Sequence, residues 1–293
     1  RAVAHGLGIP HLTLDASALF QKRVVQYFVQ EYAEGRTPNP CAKCNARVRL
    51  GLMLDVAHRL GLPRVATGHY ARLTGSPPCL TRGVDTKKDQ SYVLAEVSPD
   101  LLEQMLFPLG EMTKIEVRRA AAAAGLEGHS AAESQEICFV PDDDHRRFLR
   151  ARLGEAPGEI VDETGRVVGR HSGTYNFTPG QRRGLRVAGP QPLYVLRVDA
   201  GRRLVVVGSL AETAVGAVHV EDLTFHRPSP GGDLSVQLRS SSPAVPVRSV
   251  ELAGGRAVIA LGEAAYGVAP GQTAVLYSGT QVAMAGTIAG TET

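Results

Sequence analysis

The stretch NARVRLGLMLDVAHRLGLPRVATGHY, residues 45–70, decides the fold class. Apolar residues at Leu50, Leu52, Leu54, Val56 and Leu60 predict a helix from about Asn45 to Leu60, and Gly61 is placed to end it. Arg64-Val65-Ala66-Thr67 then reads as a short buried strand ending at Gly68-His69-Tyr70. Helix, turn, strand and a glycine at the strand's carboxyl end are part of a doubly wound α/β unit. Ligands in such sheets bind outside the carboxyl ends of the strands, which places Gly68 and His69 at the expected site.

The same alternation continues on both sides. Upstream, Leu19, Phe20, Val24, Val25, Phe28 and Val29 give helical spacing over Ala16 to Gly35, followed by the turn Thr37-Pro38-Asn39-Pro40. Downstream, Ser98-Pro99 predicts a capped helix running into Leu101 to Leu106. Thr113-Lys114-Ile115-Glu116 fits a capping box ahead of an Ala-rich run that stops at Gly125. A further helix is expected from Asp143 to Ala151. Beyond Gly154 helical periodicity fades, and short alternating segments read as strands. They are Arg166 to Gly169, Leu193 to Val198, Leu204 to Val207, Ala217 to Val220, Leu234 to Leu238, Ala257 to Leu261 and Ala274 to Tyr277. Turns such as Asp162-Glu163-Thr164-Gly165, Asp199-Ala200-Gly201 and Pro230-Gly231-Gly232-Asp233 separate them. The expected organisation is an α/β unit over 1–150, a small β-rich unit over 151–213 and a barrel-like β unit over 214–293.

Composition narrows the class without naming an activity. The chain has 293 residues, 43% hydrophobic and 21% charged, ordinary values for a globular protein. Its apolar runs are short and interrupted, which argues against a membrane-spanning helix. A net charge of +3 permits an acidic partner such as RNA without requiring one. Four cysteines in a chain this long do not make a disulfide scaffold, and a reducing compartment is expected. The chain opens on Arg1 inside the amphipathic segment Arg1 to Leu7, and so reads as a fragment.

The chemistry-bearing residues begin with Cys41-Ala42-Lys43-Cys44. This C-x-x-C follows a Pro-rich turn, and Cys44 is expected at a helix N-terminus, where the helix dipole and neighbouring Lys43 favour thiolate. The same spacing also fits half a zinc site. Cys138, between Ile137 and Phe139 in the strand-like run Ser134 to Val140, reads by itself as a core cysteine. Cys79 reads as a strand cysteine without chemistry. Lys87-Lys88-Asp89-Gln90-Ser91-Tyr92 reads equally as a phosphate or base contact and as a solvated helix start. The Gly-flanked basic loop Thr178-Pro179-Gly180-Gln181-Arg182-Arg183-Gly184-Leu185 is a candidate RNA-backbone contact.

Together these segments closely resemble the tRNA-specific 2-thiouridylase family, which replaces an oxygen of the wobble uridine with sulfur. The matching runs, in order, are Gly35 to Pro40, Cys44-Asn45, Ala66 to Tyr70 and Lys88 to Tyr92. They continue with Leu106-Phe107-Pro108-Leu109-Gly110, Ile137-Cys138-Phe139 and Thr178 to Leu185. The resemblance implies a Rossmann-like ATP-pyrophosphatase (PP-loop) domain followed by small β domains with a C-terminal β-barrel. It implies ATP with Mg2+ as co-substrate, Cys138 as persulfide carrier and Cys44 as the second catalytic cysteine, the two closing a disulfide. It sets Asn39, Pro40 and Cys41 against the target base and Gly68 against ATP. His69, Lys88, Asp89, Gln90, Arg239, Ser240 and Gln272 would contact tRNA. The implied partners are tRNA and a sulfur-carrier protein or cysteine desulfurase relay, for a cytoplasmic monomer with no membrane association. The family's Ser-Gly-Gly-x-Asp-Ser phosphate loop does not occur in this chain, so the chain by itself is expected not to activate ATP. Many relatives have Asp at the position of Cys41. An iron–sulfur cluster on Cys41, Cys44 and Cys138 is therefore the alternative to a persulfide, alongside a non-catalytic tRNA-binding module.

Overall fold

The structure, a computed structural model, describes residues 1–126, 137–140, 142, 144–187, 191–226 and 233–293. The expectations for Ser134 to Glu136, Pro141, Asp143 and the Pro230-Gly231-Gly232 turn lie outside the described residues.

Two long helices lead the first unit. One joins Ser17–Phe20, Gln21–Val25 and Gln26–Ala33; the other joins Pro40–Cys44, Asn45–Arg49 and Leu50–Arg59. Each contains one π-helical stretch, Gln21–Val25 or Asn45–Arg49, a local widening that often marks functional segments. The second helix begins five residues before the expected Asn45, because Asn39 caps it and Pro40 takes its first position. Strand β1 (Val65–Ala66) pairs in parallel with a later strand, Met105–Leu106, after the intervening hairpin of β2 (Ala71–Thr74) and β3 (Cys79–Arg82). That later strand, β4, overturns the expected helix to Leu106. The helix covers only Pro99–Leu102, and the chain then extends so that β4 can pair with β1. The capping box at Thr113 is formed, and its helix runs over Lys114–Ala123.

The second unit is a four-stranded sheet of β5 (Gly158–Asp162), β6 (Val167–His171), β7 (Tyr194–Asp199) and β8 (Leu204–Gly208), in the order β6-β5-β8-β7. The third is a barrel. Strands β9 (Ala214–Phe225), β10 (Leu234–Gln237), β11 (Val245–Ala253), β12 (Arg256–Tyr266), β13 (Thr273–Ser278) and β14 (Gln281–Glu292) run in the order β13-β10-β11-β12-β9-β14, and β14 pairs back to β13. Closure leaves no edge strand among the six. Val218, Val220, Val236, Leu261, Leu276 and Ile288 fill the interior. The hydrophobic pattern missed β2, β5, β11 and β14. In β14 the run Val282 to Gly290 is rich in Ala and Gly, which have little strand preference of their own, and pairing with β9 and β13 makes it a strand.

The barrel also completes the core of the first unit. Val275, Tyr277, Val282 and Ala285 pack with Leu50, Leu54, Leu80, Tyr92 and Leu102 in one buried cluster, and β14 pairs with β3 at Gln281 and Thr81. Gly110 is fixed by this crowding. A Cβ there would lie 1.9 Å from the carbonyl oxygen of Ala71. Gly110→Ala is therefore expected to destabilise by about 3 kcal/mol, the upper end of overpacking costs, read as a lower urea midpoint with unchanged slope.

Candidate active site

The cysteine helix is positioned from its start. The Asn39 side-chain oxygen accepts from the Ala42 N–H at 3.2 Å, putting Cys41 in the first turn and Cys44 in the second. This corrects the expectation that Cys44 occupies the helix N-terminus. Lys43 does not assist Cys44 either. Successive helical residues point about 100° apart, and Lys43 is turned inward, 1% exposed. Its Nζ lies 2.6 Å from Glu96 and donates to Thr287 Oγ1 at 2.7 Å. Glu96 also accepts from Thr273 Oγ1 at 2.7 Å. A buried ion pair thus fastens the back of the cysteine helix to β13 and β14.

Cys41 is exposed and Cys44 half-buried. Surrounding protein is the main reason the Cys44 thiol is held above its ordinary range; Cys138 and Cys41 push it further, while the charge and backbone of Arg49 pull it down. Cys41 is raised by burial and by Cys138, again opposed by Arg49. The three sulfurs therefore share one electrostatic neighbourhood, and Arg49, at the end of the π-helical turn after Cys44, is its cation. Arg49→Gln is expected to raise the Cys44 thiol pKa and slow its alkylation at pH 7.5 severalfold, since the thiolate is the reactive form. Peptide mapping of iodoacetamide adducts against time measures this.

Cys138 is neither in a strand nor in the core. It sits exposed on a turn, with Ile137 and Phe139 packed inward. The Phe139 ring meets Phe20, Phe28 and Phe148 at centroid distances of 5.6, 5.3 and 5.5 Å. The apolar neighbours that made Cys138 look like core are the anchors that present it to solvent. Cys79 lies buried in β3.

Gly68 is exposed past the carboxyl end of β1, and a Cβ there would meet only Leu109 at 3.7 Å, so a nucleotide can approach its backbone. His69 is buried, its Nδ1 2.7 Å from Thr67 Oγ1 and its ring edge-on to Phe107. Burial, then the Arg49 charge, brings its pKa down to about 4, so its imidazole is neutral at physiological pH.

The Lys88-Asp89-Gln90 segment works largely inward. Asp89 accepts from Gly83 N at 2.9 Å, from Ser91 N and Oγ at 3.0 and 2.8 Å, and from Arg82 at 3.0 Å. Gln90 accepts from the Tyr70 N–H at 2.9 Å, and Tyr92 donates to the Thr273 carbonyl at 2.7 Å. Lys88 is half-buried. Gln272 donates to the carbonyls of Thr37 and Pro38 at 2.8 and 3.4 Å. Arg239 donates to those of Pro179 and Gly267, and Ser240 beside it is exposed. All three units meet at Thr37. Its N–H donates to Pro270 at 2.7 Å, its hydroxyl to Thr178 at 3.1 Å, and a Cβ on Gly271 would lie 2.9 Å from its nitrogen. The segment before the cysteine helix is thereby held from the barrel and from the middle unit at once. Sequence reading missed Glu96, Thr287 and Arg49; only the alternation of Lys43 against Cys44 on a helix starting at Pro40 carried a signal for the first two.

Comparison with known proteins agrees with this geometry. Residues 1–142 match the tRNA methyl transferase HUP domain, 146–209 the tRNA methyl transferase PRC-barrel domain, and 215–288 the aminomethyltransferase beta-barrel domain. A tRNA-specific 2-thiouridylase MnmA from Acidothermus cellulolyticus is 46% identical over 99% of the chain and 82% of its own length. The chain belongs to the tRNA-specific 2-thiouridylase family. A second member, from Geobacter metallireducens, is 44% identical over 96% of the chain and 78% of its own length. The bifunctional protein NifU/MnmA of Rubrobacter xylanophilus is 51% identical over 99% of the chain, which spans 59% of that longer protein. Family membership fits the α/β unit with its two β units. Among the described residues no group of three or more His, Cys, Asp or Glu side chains is arranged to hold a metal ion. Among the described residues no helix is long and apolar enough to cross a membrane.

Proposed function

We propose that this protein is a tRNA-uridine 2-sulfurtransferase that exchanges the 2-oxygen of the wobble uridine for sulfur. The observation that carries the reading is the exposed Cys138 turn, whose sulfur acts electrostatically on both Cys41 and Cys44. ATP, bound with Mg2+ against Gly68, supplies the adenylate that makes the uracil oxygen a leaving group. Cys138 carries the incoming sulfur as a persulfide, delivered by a sulfur-carrier protein or cysteine desulfurase relay. The terminal sulfur attacks C2, and AMP departs with the oxygen. The Cys44 thiolate then attacks the Cys138 sulfur, breaking its bond to the transferred atom and leaving a Cys44–Cys138 disulfide beside the 2-thiouridine. A thiol reductant resets the pair.

In this reading Asn39, Pro40 and Cys41 meet the target base. Lys88 faces the tRNA, as does exposed Ser240, whereas buried His69 acts by setting the loop after β1 that approaches it, and Asp89, Gln90, Arg239 and Gln272 act by holding the segments that do. The protein works as a cytoplasmic monomer. The test supplies the complete protein with ATP, Mg2+, a persulfide donor and unmodified tRNA, and counts 2-thiouridine by nucleoside analysis. Tight tRNA binding without any 2-thiouridine would replace the reading with a tRNA-binding module. Iron and sulfide analysis after anaerobic purification, beside Cys41→Asp, decides between the sulfur routes. Full activity of that variant without iron supports the persulfide.

A further inference from the structure

Helix His145–Leu153 carries Arg146, Arg147 and Arg150, and Arg170 on β6 and Arg186 lie across from them. These five exposed arginines line a cavity of about 590 Å3. Its one carboxylate among the described lining residues, Asp144, is engaged by the Arg147 N–H at 2.9 Å. Arg147 lies 3.8 Å from Asp142, and among the described residues no carboxylate pairs with Arg146, Arg150, Arg170 or Arg186. A second cavity of about 460 Å3 adjoins; Arg146 borders both, and Arg183 and Ile137, the neighbour of Cys138, line this one. So many cations held together repel one another unless an anion is brought between them.

We propose that these arginines form a track for an RNA phosphate backbone, leading from the Cys138 turn along helix His145–Leu153 and carrying the strand next to the target base. The proposal rests on the tRNA substrate proposed above. Guanidinium forks match phosphate oxygens in pairs. Nine helical residues extend about 13 Å, room for about two or three consecutive phosphates of one strand. A protein partner would need an apolar anchor point at the surface. Here Tyr175, Phe177 and Leu185 are buried beneath the arginines, leaving mainly charge on offer.

The test measures binding of an unmodified tRNA transcript to the complete protein between 50 and 200 mM salt, about the range over which phosphate binding separates. Arg150→Glu with Arg170→Glu is expected to weaken binding at least about tenfold, and to flatten the salt slope by about 0.9 for each phosphate no longer neutralised. Arg186→Gln, a milder change at an exposed site, is expected to flatten it by about one phosphate's share and decides the matter if the double variant melts early. Parent-like affinity and slope in folded variants would overturn the track. So would unchanged tRNA affinity with impaired sulfur uptake from the donor protein, which would assign the patch to that partner. A parent protein that binds tRNA with this salt dependence yet forms no 2-thiouridine would remove the proposed activity and leave the track standing.

Discussion

Serine in place of Cys138 or Cys44 is expected to lower 2-thiouridine formation by at least about a thousandfold, the range of nucleophile deletions, while tRNA affinity is retained. A hydroxyl can neither hold a persulfide nor be a partner in a disulfide, so each variant stops a different step. Cys138→Ser should fail to take up labelled sulfur from the donor. Cys44→Ser should still load Cys138, then stall with the sulfur joined to both protein and RNA. Substantial activity in either variant would exclude the two-cysteine route. Cys79→Ser is the control: Cys79 lies buried in β3 with its Sγ 3.4 Å from the Val282 carbonyl.

Lys43→Ala is expected to cost about 3–5 kcal/mol, because it leaves Glu96 charged, buried and without its cation. Urea unfolding of the complete protein measures this. The double variant Lys43→Met with Glu96→Leu should recover much of the loss, since removing both charges also removes their desolvation cost. Recovery will be incomplete, as Thr287 and Thr273 lose partners they now bond at 2.7 Å. Thiolation should fall in Lys43→Ala more than stability alone accounts for, because the ion pair holds the cysteine helix against β13 and β14. A single variant as stable as the parent would show that the pair contributes nothing to that placement.

Much of the fold was legible because local patterns and tertiary packing agree. The helical spacing around Leu50 and Leu54 announces a helix whose apolar face the structure buries. The capping box at Thr113 and the strand at Val65 announce elements that form, although the capped helix has no buried residue and the strand, expected to be buried, is half-buried at Val65 and exposed at Ala66. Where they disagree, the tertiary partner prevails. Met105–Leu106 is a strand because β1 lies beside it, and the Ala- and Gly-rich β14 is a strand because the barrel must close. The polar Lys88 to Tyr92 run reads equally as a ligand contact and as a solvated helix start, yet most of its side chains bond inward to the hairpin and barrel.

By itself the sequence determined the α/β start, the β-rich second half and the ordered motifs that mark the family, since these depend on periodicity, turn residues and residue identity along the chain. Only the tertiary structure decided how the cysteines work. It starts their helix at Pro40, turns Lys43 into a buried clamp and makes Arg49 the cation near the thiols. It also lifts Cys138 out of an apolar run by packing Phe139 against Phe20, Phe28 and Phe148. The physical reason is that a side chain's protonation and accessibility follow from which distant segments pack against it, and no local pattern encodes those neighbours.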